Sequence, residues 1–412
     1  MNDLQPLRNA VDAVLKIMAE NQYAITTIRN QRGTLNSLLK FMESNGYTNF
    51  NEEAGLAFIR EKTGVKMEGF WGRAESKTNR VMKPVQNLLY YLENGVLNHF
   101  MRSHIKPFVC PIAFEKEYDL FQKKCMERNY ADATILCNNN IVHRLLYHMK
   151  EKGINSSTEI TARYVTDFLG AFAQSKPRYV ATVLYVLRNY FNFLKEMGFI
   201  QNDLAGSLPH VRILRDAFIP HSWKTEDVKK LLEAVDRGGA KGKRDYAILL
   251  MIVRLGLRVS DIRRMKISHL NWNRKSINIT MQKTGQPLEL PLLDDIGWAV
   301  IDYLKNGRPK TASDRLFVRH RAPFDAFGEN ESFYSELHSY MKAAGIEVPI
   351  GVHCGMHSLR STLARNMLEA KTPLPVISEA LGHQSIHTTS IYLKIDIQGL
   401  RKCTLDPEEV LQ

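Results

Sequence analysis

Cysteine is scarce in this sequence, and its few occurrences follow no recognisable spacing. The chain has five cysteines and no Cys-x-x-Cys pair: Cys110, Cys125, Cys137, Cys354 and Cys403. Because the number is odd and the spacing irregular, the sequence predicts neither a disulfide framework nor a zinc ribbon. Such cysteine usage favours a protein of a reducing compartment.

Long apolar runs are also lacking. No stretch approaches the roughly 20 consecutive apolar residues that a membrane-spanning helix needs. The first residues, MNDLQPLRNAVDAVL, show no basic segment followed by an apolar core, which is the pattern of a secretory signal. We therefore expect a soluble, cytoplasmic protein without a membrane partner.

Acidic residues are outnumbered by basic ones. The 412 residues include 56 Lys and Arg against 43 Asp and Glu, which gives a formal net charge of +13. A polyanionic partner is the simplest reason for this excess, although a generically basic protein would show the same charge. The hydrophobic content of 44% predicts packed cores rather than disorder.

The first two hundred residues contain two similar helical stretches. The residues of one match those of the other at a constant offset of 107, as between Tyr23 and Tyr130. The matched residues are Tyr23, Thr27, Ile28, Leu38, Leu39, Met42 and Gly46, and Tyr130, Thr134, Ile135, Leu145, Leu146, Met149 and Gly153. This repeat predicts two copies of one small helical domain, over 1–105 and 106–212. A chance likeness between two amphipathic helices that end in glycine is the alternative.

The pattern changes after the second copy. The stretch from Leu208 to Trp223 contains two prolines and predicts a linker. A helix is predicted to come next with Thr225 as its N-cap, and a buried helix is predicted to end near Gly256.

The rest of the chain mixes strand and helix signals. A β-hairpin is predicted from apolar residues that alternate on both sides of a Thr284-Gly285 turn: Ile277 and Ile279, then Leu288 and Leu290. Further helices come after it, with breaks predicted at Pro373, Pro375 and Gly382. The fold class is therefore mainly α with a small β-sheet: two small helical domains precede a mixed α/β domain over 217–412.

Four short stretches of this last domain hold polar residues next to apolar helix faces. They are GLRVSDI with Arg258, QKTGQ with Lys283, HSLR with His357 and Arg360, and LGHQSIHTTSIY with His383 and Tyr392. The three-residue spacing of His357 and Arg360 puts both on one face of a helix, and Leu359, Leu363 and Met367 are predicted to form its buried stripe. We expect Gly382 to end one helix and Ser385 to cap the next, which carries Tyr392.

The order and context of these residues resemble the catalytic set of the tyrosine recombinase (phage integrase) family. That family has an arginine after Gly-Leu, a lysine on a β-hairpin, His-x-x-Arg, a histidine after Leu-Gly, and a tyrosine. All six positions are filled here, and Tyr392 comes nine residues after His383. The resemblance is strong over about 217–400, moderate over 106–212 and weak over 1–105.

The resemblance implies a site-specific recombinase that cuts and rejoins double-stranded DNA through a 3′-phosphotyrosine intermediate. It implies a catalytic domain over 217–412, a core-binding domain over 106–212 and a homo-tetramer on two DNA sites, with accessory DNA-bending proteins as further partners. Integration or excision of a mobile element, in the bacterial nucleoid, is the expected context. The segment 1–105 is expected to be a DNA-binding duplicate.

Elementary chemistry supports these assignments. Arg258 and Arg360 can clamp one scissile phosphate, because guanidinium groups match phosphate geometry and stay charged. A tyrosine hydroxyl is a weak nucleophile while it keeps its proton, so the proposed nucleophile Tyr392 needs a proton acceptor, for which His357 is the candidate. Lys283 can protonate the leaving 5′-oxygen, and His383 is expected to donate a hydrogen bond to the phosphate. No metal and no cofactor is expected.

Three other interpretations stay open. A relaxing topoisomerase of type IB uses the same tyrosine chemistry without pairing two sites, and a DNA-binding regulator could retain an inactive domain. A zinc site could use five residues: His353, Cys354, His357, His383 and His387. In that case the two arginines would have no role.

Several further residues carry weaker expectations. Asp261 is expected to orient Arg258 or cap its helix. Trp298 and Tyr303 are expected in the core, and His387 on the solvent face. The basic residues Lys77, Arg80 and Lys83 of the first copy, and Lys176 and Arg178 of the second, suit phosphate contacts or a solvated face.

Overall fold

The structure is a computed structural model, and it describes residues 4–71, 74–97, 108–212, 219–329, 331–348, 351–352 and 354–395. The described residues are mainly helical and contain one three-stranded sheet, as the sequence predicts. The chain divides into two compact units, one of residues 1–70, 74–101 and 218–412 and one of residues 71–73 and 102–217.

In the first helical segment, the described residues between 4 and 97 form four helices around their own apolar core. They are α1 (Gln5–Glu20), α2 (Ile25–Ser44), α3 (Glu52–Thr63) and α4 (Ser76–Asn94). The Asn51 side chain begins α3 by accepting a hydrogen bond from the Ala54 backbone N–H at 2.9 Å. Gly64 ends that helix in the left-handed conformation.

The second helical segment also contains four helices around a separate core. They are α5 (Glu115–Glu127), α6 (Asp132–Glu151), α7 (Ala162–Gly170) and α8 (Pro177–Glu196). The core is rich in aromatic rings. Tyr190 and Phe191 of α8 are fully buried in it.

The two segments share details that the sequence repeat predicts. Both ends of α6 lie 107 residues after the ends of α2. Gln22 and Asn129, at the same offset, both adopt positive φ between the first two helices of their segments. The matched Leu38 and Leu145 are both fully buried. The domain boundaries at 105 and 106 remain a prediction, because residues 98–107 lie outside the described residues.

The C-terminal segment begins with three helices: α9 (Thr225–Glu233), α10 (Ala240–Leu255) and α11 (Val259–Arg264). The strands are β1 (Leu270–Asn271), β2 (Ser276–Thr280) and β3 (Pro287–Pro291). The later helices are α12 (Asp294–Asn306), α13 (Tyr334–Ala343), α14 (Met356–Glu369), α15 (Leu374–Ala380) and α16 (Ile386–Ser390), and a 3₁₀ turn, Ile391–Ile395, comes after them. Helix α10 lies at the centre of the core and packs on α12 and α14.

The sheet confirms the predicted hairpin. Its strand order is β1-β2-β3, and all pairs are antiparallel. Ile277 faces Leu290 and Ile279 faces Leu288, so the alternating apolar residues share one face. Gly285 supplies the positive φ that the turn requires.

Gly256 ends α10 as predicted and sets the direction of the chain beyond it. Its φ is +64°, and a Cβ there would lie only 2.7 Å from a methyl group of Leu381. Only glycine fits both the left-handed backbone and this close approach. The chain therefore turns sharply against the end of α15 and presents Arg258 two residues later.

Three local predictions at Thr225, Pro375 and Trp298 are wrong. Thr225 is the first residue of α9 and its N-cap is Lys224, with no side-chain cap bond. Pro375 lies in the first turn of α15 and does not break it, because proline is tolerated there. Trp298 is 71% exposed rather than buried. Tyr303, in contrast, is fully buried as predicted.

The predicted stripe of α14 is only partly buried. Leu359 lies in the core, whereas Leu363 and Met367 are partly buried against a small cluster that includes Tyr392. Arg360, on the polar face, is itself buried. None of the described helices is long and apolar enough to cross a membrane.

Candidate active site

The six predicted residues come from five places in the C-terminal segment. Arg258 is the N-cap of α11, Lys283 lies in the β2–β3 turn, His357 and Arg360 lie in α14, His383 comes after α15, and Tyr392 lies in the 3₁₀ turn. Three of them are in direct contact: Arg360, His383 and Tyr392. Arg258 contacts Met281 just before the turn that carries Lys283, and Gln384, next to His383, donates to Thr284 of that turn. The charges of Arg258 and Lys283 accordingly lower the pKa of both histidines.

Arg360 is the most tightly held of the six. It is 2% exposed, and its guanidinium donates hydrogen bonds to the carbonyls of Gly256 and Leu381 and contacts His383 Nε2 at 2.9 Å. These bonds fix the group between the ends of α10 and α15. Its Nε is buried and has no hydrogen-bond partner among the described residues.

Burial and the nearby charge of Arg258 lower the pKa of Arg360 to about 10, while Tyr392 opposes the shift. The guanidinium is still cationic near pH 7. A buried cation without a matching buried anion at contact distance is unfavourable by itself, which suits a site that receives an anion.

His383 is held in one tautomer. Arginine only donates, so His383 Nε2 must accept from Arg360, and Nδ1 must carry the proton that it donates to Thr389 Oγ1 at 2.7 Å. Burial and then the charge of Arg360 lower the pKa of His383 to about 3, so the ring is neutral. In this arrangement His383 supports Arg360; the predicted donation to a phosphate requires Nε2 to release Arg360 and to carry a proton itself, through a change of tautomer or of protonation.

Tyr392 lies inside the site of its own chain. It is 3% exposed, and its ring is nearly parallel to that of His383, with 6.0 Å between centroids and 16° between planes. The nearby Tyr392 hydroxyl raises the pKa of Arg360, against the effect of burial, so the hydroxyl lies on the guanidinium's side of the site. The prediction that Tyr392 belongs to the helix capped by Ser385 is wrong: Ser385 does cap α16, but Tyr392 lies in the 3₁₀ turn after it.

Arg258 is half-buried at the start of α11. Its Nη1 lies 3.3 Å from Sδ of Met281, the last residue before the hairpin turn. Met281 in turn packs closely on Gly382, where a Cβ would lie 2.3 Å from the same sulfur. The hairpin, Arg258 and the segment that leads to Tyr392 thus meet at one methionine.

The turn that carries Lys283 is held from two sides. The buried Asp261 carboxylate accepts from the Gln282 backbone N–H at 2.9 Å, and the Gln384 side chain donates to the Thr284 carbonyl at 3.3 Å. Asp261 therefore anchors the hairpin instead of orienting Arg258 or capping its own helix. Lys283 itself is exposed between the two anchors.

His357 lies in the first turn of α14 with an exposed surface. Desolvation lowers its pKa first, and the charges of Arg360, Arg258 and Lys283 lower it further. The ring is therefore neutral near pH 7 and able to accept a proton. The described hydrogen bonds include none between His357 and Tyr392, so its role as proton acceptor stays a prediction.

Sequence reasoning missed Met281 and Gln384. Met281 directly precedes the QKTGQ stretch and Gln384 lies within LGHQSIHTTSIY, but neither position was singled out. Each contacts a residue far away along the chain, so no spacing could have indicated these contacts. The alternative zinc set is not assembled in the part of the chain that is described: no group of three or more His, Cys, Asp or Glu there could hold a metal ion. His353 lies outside the described residues. His387 is exposed, as predicted.

The sequence is similar to recombinases over most of its length. A profile of the Phage integrase family matches residues 222–398. The protein y4rA of Sinorhizobium fredii, which is named as an integrase/recombinase, is 33% identical over 365 residues, which cover 85% of this chain and 87% of that protein. The tyrosine recombinase XerD of Listeria innocua is 28% identical over 283 residues, which cover 66% of this chain and 90% of XerD.

Solved structures show the same fold. The site-specific recombinase XerH, bound to a palindromic difH substrate in a post-cleavage complex, has a TM-score of 0.56 at 18% identity and covers 85% of this chain and 95% of its own. A lambda integrase dimer bound to a COC′ core site has a TM-score of 0.54 at 16% identity, with coverages of 68% and 95%.

Proposed function

The chain belongs to the phage integrase family of tyrosine recombinases, and on that premise we propose that Tyr392 attacks a DNA phosphodiester and forms a 3′-phosphotyrosine bond. One observation carries this proposal: a tyrosine with almost no exposed surface lies beside a buried arginine within one chain. A structural tyrosine in a core has no need of a cationic neighbour that is itself costly to bury.

The reaction balances without an external reagent. The Tyr392 oxygen forms a bond to phosphorus as the bond from phosphorus to the 5′-oxygen breaks. The tyrosine proton goes to His357, whose pKa is lowered and whose ring is neutral. Lys283 gives a proton to the leaving 5′-oxygen. In the second step a DNA 5′-hydroxyl attacks the phosphotyrosine and both proton transfers reverse.

The two arginines stabilise the transition state in this scheme. Charge builds up on the nonbridging oxygens of the phosphate, and preorganised donors act most strongly where water is excluded. Arg360 is preorganised by its bonds to Gly256 and Leu381, and its Nε has no hydrogen-bond partner among the described residues. Loss of one such donor typically costs about a hundred- to a thousandfold in rate.

The biological reaction that we propose is strand exchange between two double-stranded DNA sites, in the integration or excision of a mobile element. The name of y4rA supports this context, since it is called an integrase/recombinase. A homo-tetramer on two DNA sites is proposed as the working unit, because a lambda integrase structure with this fold is a tetramer bound to a Holliday junction. Accessory DNA-bending proteins would be further partners.

Trapping the covalent adduct tests the proposed function. The cleavage position is first mapped in DNA next to the gene, and a nicked duplex of that sequence then lets the cleaved end diffuse away. The wild-type protein should give a DNA–protein band that resists denaturation. Tyr392→Phe should give none while still binding DNA, because it loses only the nucleophilic oxygen.

Tyr246→Phe is the matched control, since Tyr246 packs on the core outside the site, and it should keep the adduct. An adduct that persists in Tyr392→Phe would exclude Tyr392 as the nucleophile. Relaxation of supercoiled plasmid that lacks the mapped sequence would favour a topoisomerase instead.

A further inference from the structure

The turn that carries Lys283 is closed by bonds within its own hairpin. The Met281 N–H donates to the Gln286 carbonyl at 2.9 Å, and the Gly285 N–H donates to the Met281 carbonyl at 2.8 Å. These two bonds fix the shape of the turn. They do not fix the direction in which the turn points over the site, because both join residues of the hairpin itself.

Two side chains from outside the hairpin hold the residues on either side of Lys283. On one side, the buried Asp261 carboxylate accepts from the Gln282 N–H at 2.9 Å. On the other side, the Gln384 amide donates to the Thr284 carbonyl at 3.3 Å. A carbonyl oxygen only accepts, so the NH₂ group of Gln384 must face it. One anchor belongs to α11, and the other lies between α15 and α16.

Gln384 extends from a part of the backbone that is itself held in place. The ring of the preceding residue, His383, is fixed between Arg360 and Thr389. The following residue, Ser385, caps α16 through its side chain. Because both neighbours are held, the Gln384 amide reaches the turn from a fixed origin and can impose a position on it.

The side chain of Lys283 makes the position of its backbone important. A lysine ammonium is a compact charge at the end of a flexible four-carbon stem. A general acid must lie within about 3.2 Å of the atom that it protonates, and a misplacement of about 1 Å can cost about a hundredfold in rate. Anchors on both neighbouring residues restrict the region that the Lys283 Nζ can reach.

We propose that Gln384 is a positioning residue for Lys283 and directs its ammonium group towards the leaving 5′-oxygen. The inference rests on the proposed function, because that function assigns the proton transfer to Lys283. Gln384 acts through the turn and touches none of the reacting atoms. Since it belongs to the segment that leads to Tyr392, one segment then places both the nucleophile and the acid.

Two leaving groups test this role in the full-length protein. The probes are nicked duplexes of the mapped cleavage sequence with either oxygen or sulfur at the 5′-bridging position, because a sulfur leaving group needs no proton. Rates of adduct formation are measured at saturating protein for Gln384→Ala, Gln384→Asn, Lys283→Ala and the double alanine variant. The matched control is Gln286→Ala, at another exposed glutamine, which contributes to the turn a backbone carbonyl that alanine keeps.

Gln384→Ala should slow adduct formation on the oxygen substrate by about three- to tenfold, which corresponds to the loss of one neutral hydrogen bond. On the sulfur substrate its rate should stay close to that of the wild type. Gln384→Asn keeps the amide but is one methylene shorter, so we expect the same pattern. Gln286→Ala should resemble the wild type on both substrates. In the Lys283→Ala background, Gln384→Ala should have no further effect, because no acid remains to be positioned.

Equal slowing on both substrates would overturn the inference, because Gln384 would then act on the nucleophile or on folding. A further slowing in the double variant would overturn it as well, since Gln384 would then act independently of Lys283. Weaker DNA binding with unchanged rates at saturation would make Gln384 a binding residue instead.

The wild-type protein separates this inference from the proposed function. If it forms no adduct on either substrate, the proposed function fails. If it forms the adduct and the ratio of the oxygen to the sulfur rate is unchanged in Gln384→Ala, only the role of Gln384 fails.

Discussion

Gly382 is the position where backbone conformation and packing around the site can be separated by experiment. Its φ is +59°, and a Cβ there would lie 2.3 Å from Met281 Sδ. Gly345, in the same C-terminal segment, has a φ of +65° and would place its Cβ in open space. Alanine at either position carries the same left-handed strain, but only alanine at Gly382 pushes on the hairpin.

The two costs can be worked out separately. Left-handed backbone at a residue with a Cβ costs about 1–2 kcal/mol, so Gly345→Ala should lower the free energy of unfolding by about that amount. Gly382→Ala must in addition move Met281 by about 1 Å to reach ordinary contact distance, and overpacking of this kind costs roughly 1–3 kcal/mol. Its total loss should therefore be about 2–5 kcal/mol.

The same displacement should impair cleavage. Met281 contacts Arg258 and precedes the turn that carries Lys283, and a misplacement of about 1 Å in an active site can cost about a hundredfold in rate. Gly345→Ala should cleave at nearly the wild-type rate wherever it remains folded.

Denaturant unfolding monitored by tryptophan fluorescence measures the stability, since Trp223, Trp272 and Trp298 lie in this segment. Adding Met281→Ala to Gly382→Ala should recover part of the lost stability, because the clashing side chain is gone. Equal losses for the two alanine variants, or no coupling in the double variant, would refute the reasoning.

Three further predictions concern the chemistry of the site. Lys283→Ala should slow cleavage of a normal substrate by about 10²- to 10⁴-fold. A substrate with sulfur at the 5′-bridging position should restore most of the cleavage rate of this variant, because a sulfur leaving group needs no proton. No recovery would mean that Lys283 acts only on binding. Chelators should leave the cleavage rate unchanged, because Arg258 and Arg360 stabilise the negative charge that builds up on the phosphate oxygens. Inhibition by EDTA that zinc reverses would support the alternative zinc site instead. The free energy of unfolding should fall as the pH drops from about 6.5 towards 3, because His383 takes up a proton in the unfolded chain but not in the folded one, where its pKa is about 3. Thermal melts should show a shallower fall with pH for His383→Gln than for the wild type. An unchanged pH profile in that variant would contradict the buried neutral ring.

The sequence by itself determined the parts of this protein that depend on local pattern. Apolar residues alternating around Thr284 and Gly285 were enough for the hairpin, because strand faces have a period of two. The constant offset between Tyr23 and Tyr130 indicated two similar segments. The six candidate residues could be named because their types and order are written along the chain.

Tertiary structure decided how those residues are held. Asp261 contacts a backbone N–H 21 residues away, and Arg360 reaches a carbonyl 104 residues away. No pattern along the chain encodes such pairs. The tautomer of His383 likewise depends on its contact with Arg360. Trp298 shows the same limit on a helix: spacing gives the side on which a residue lies, but only the packed neighbours decide whether that side is covered.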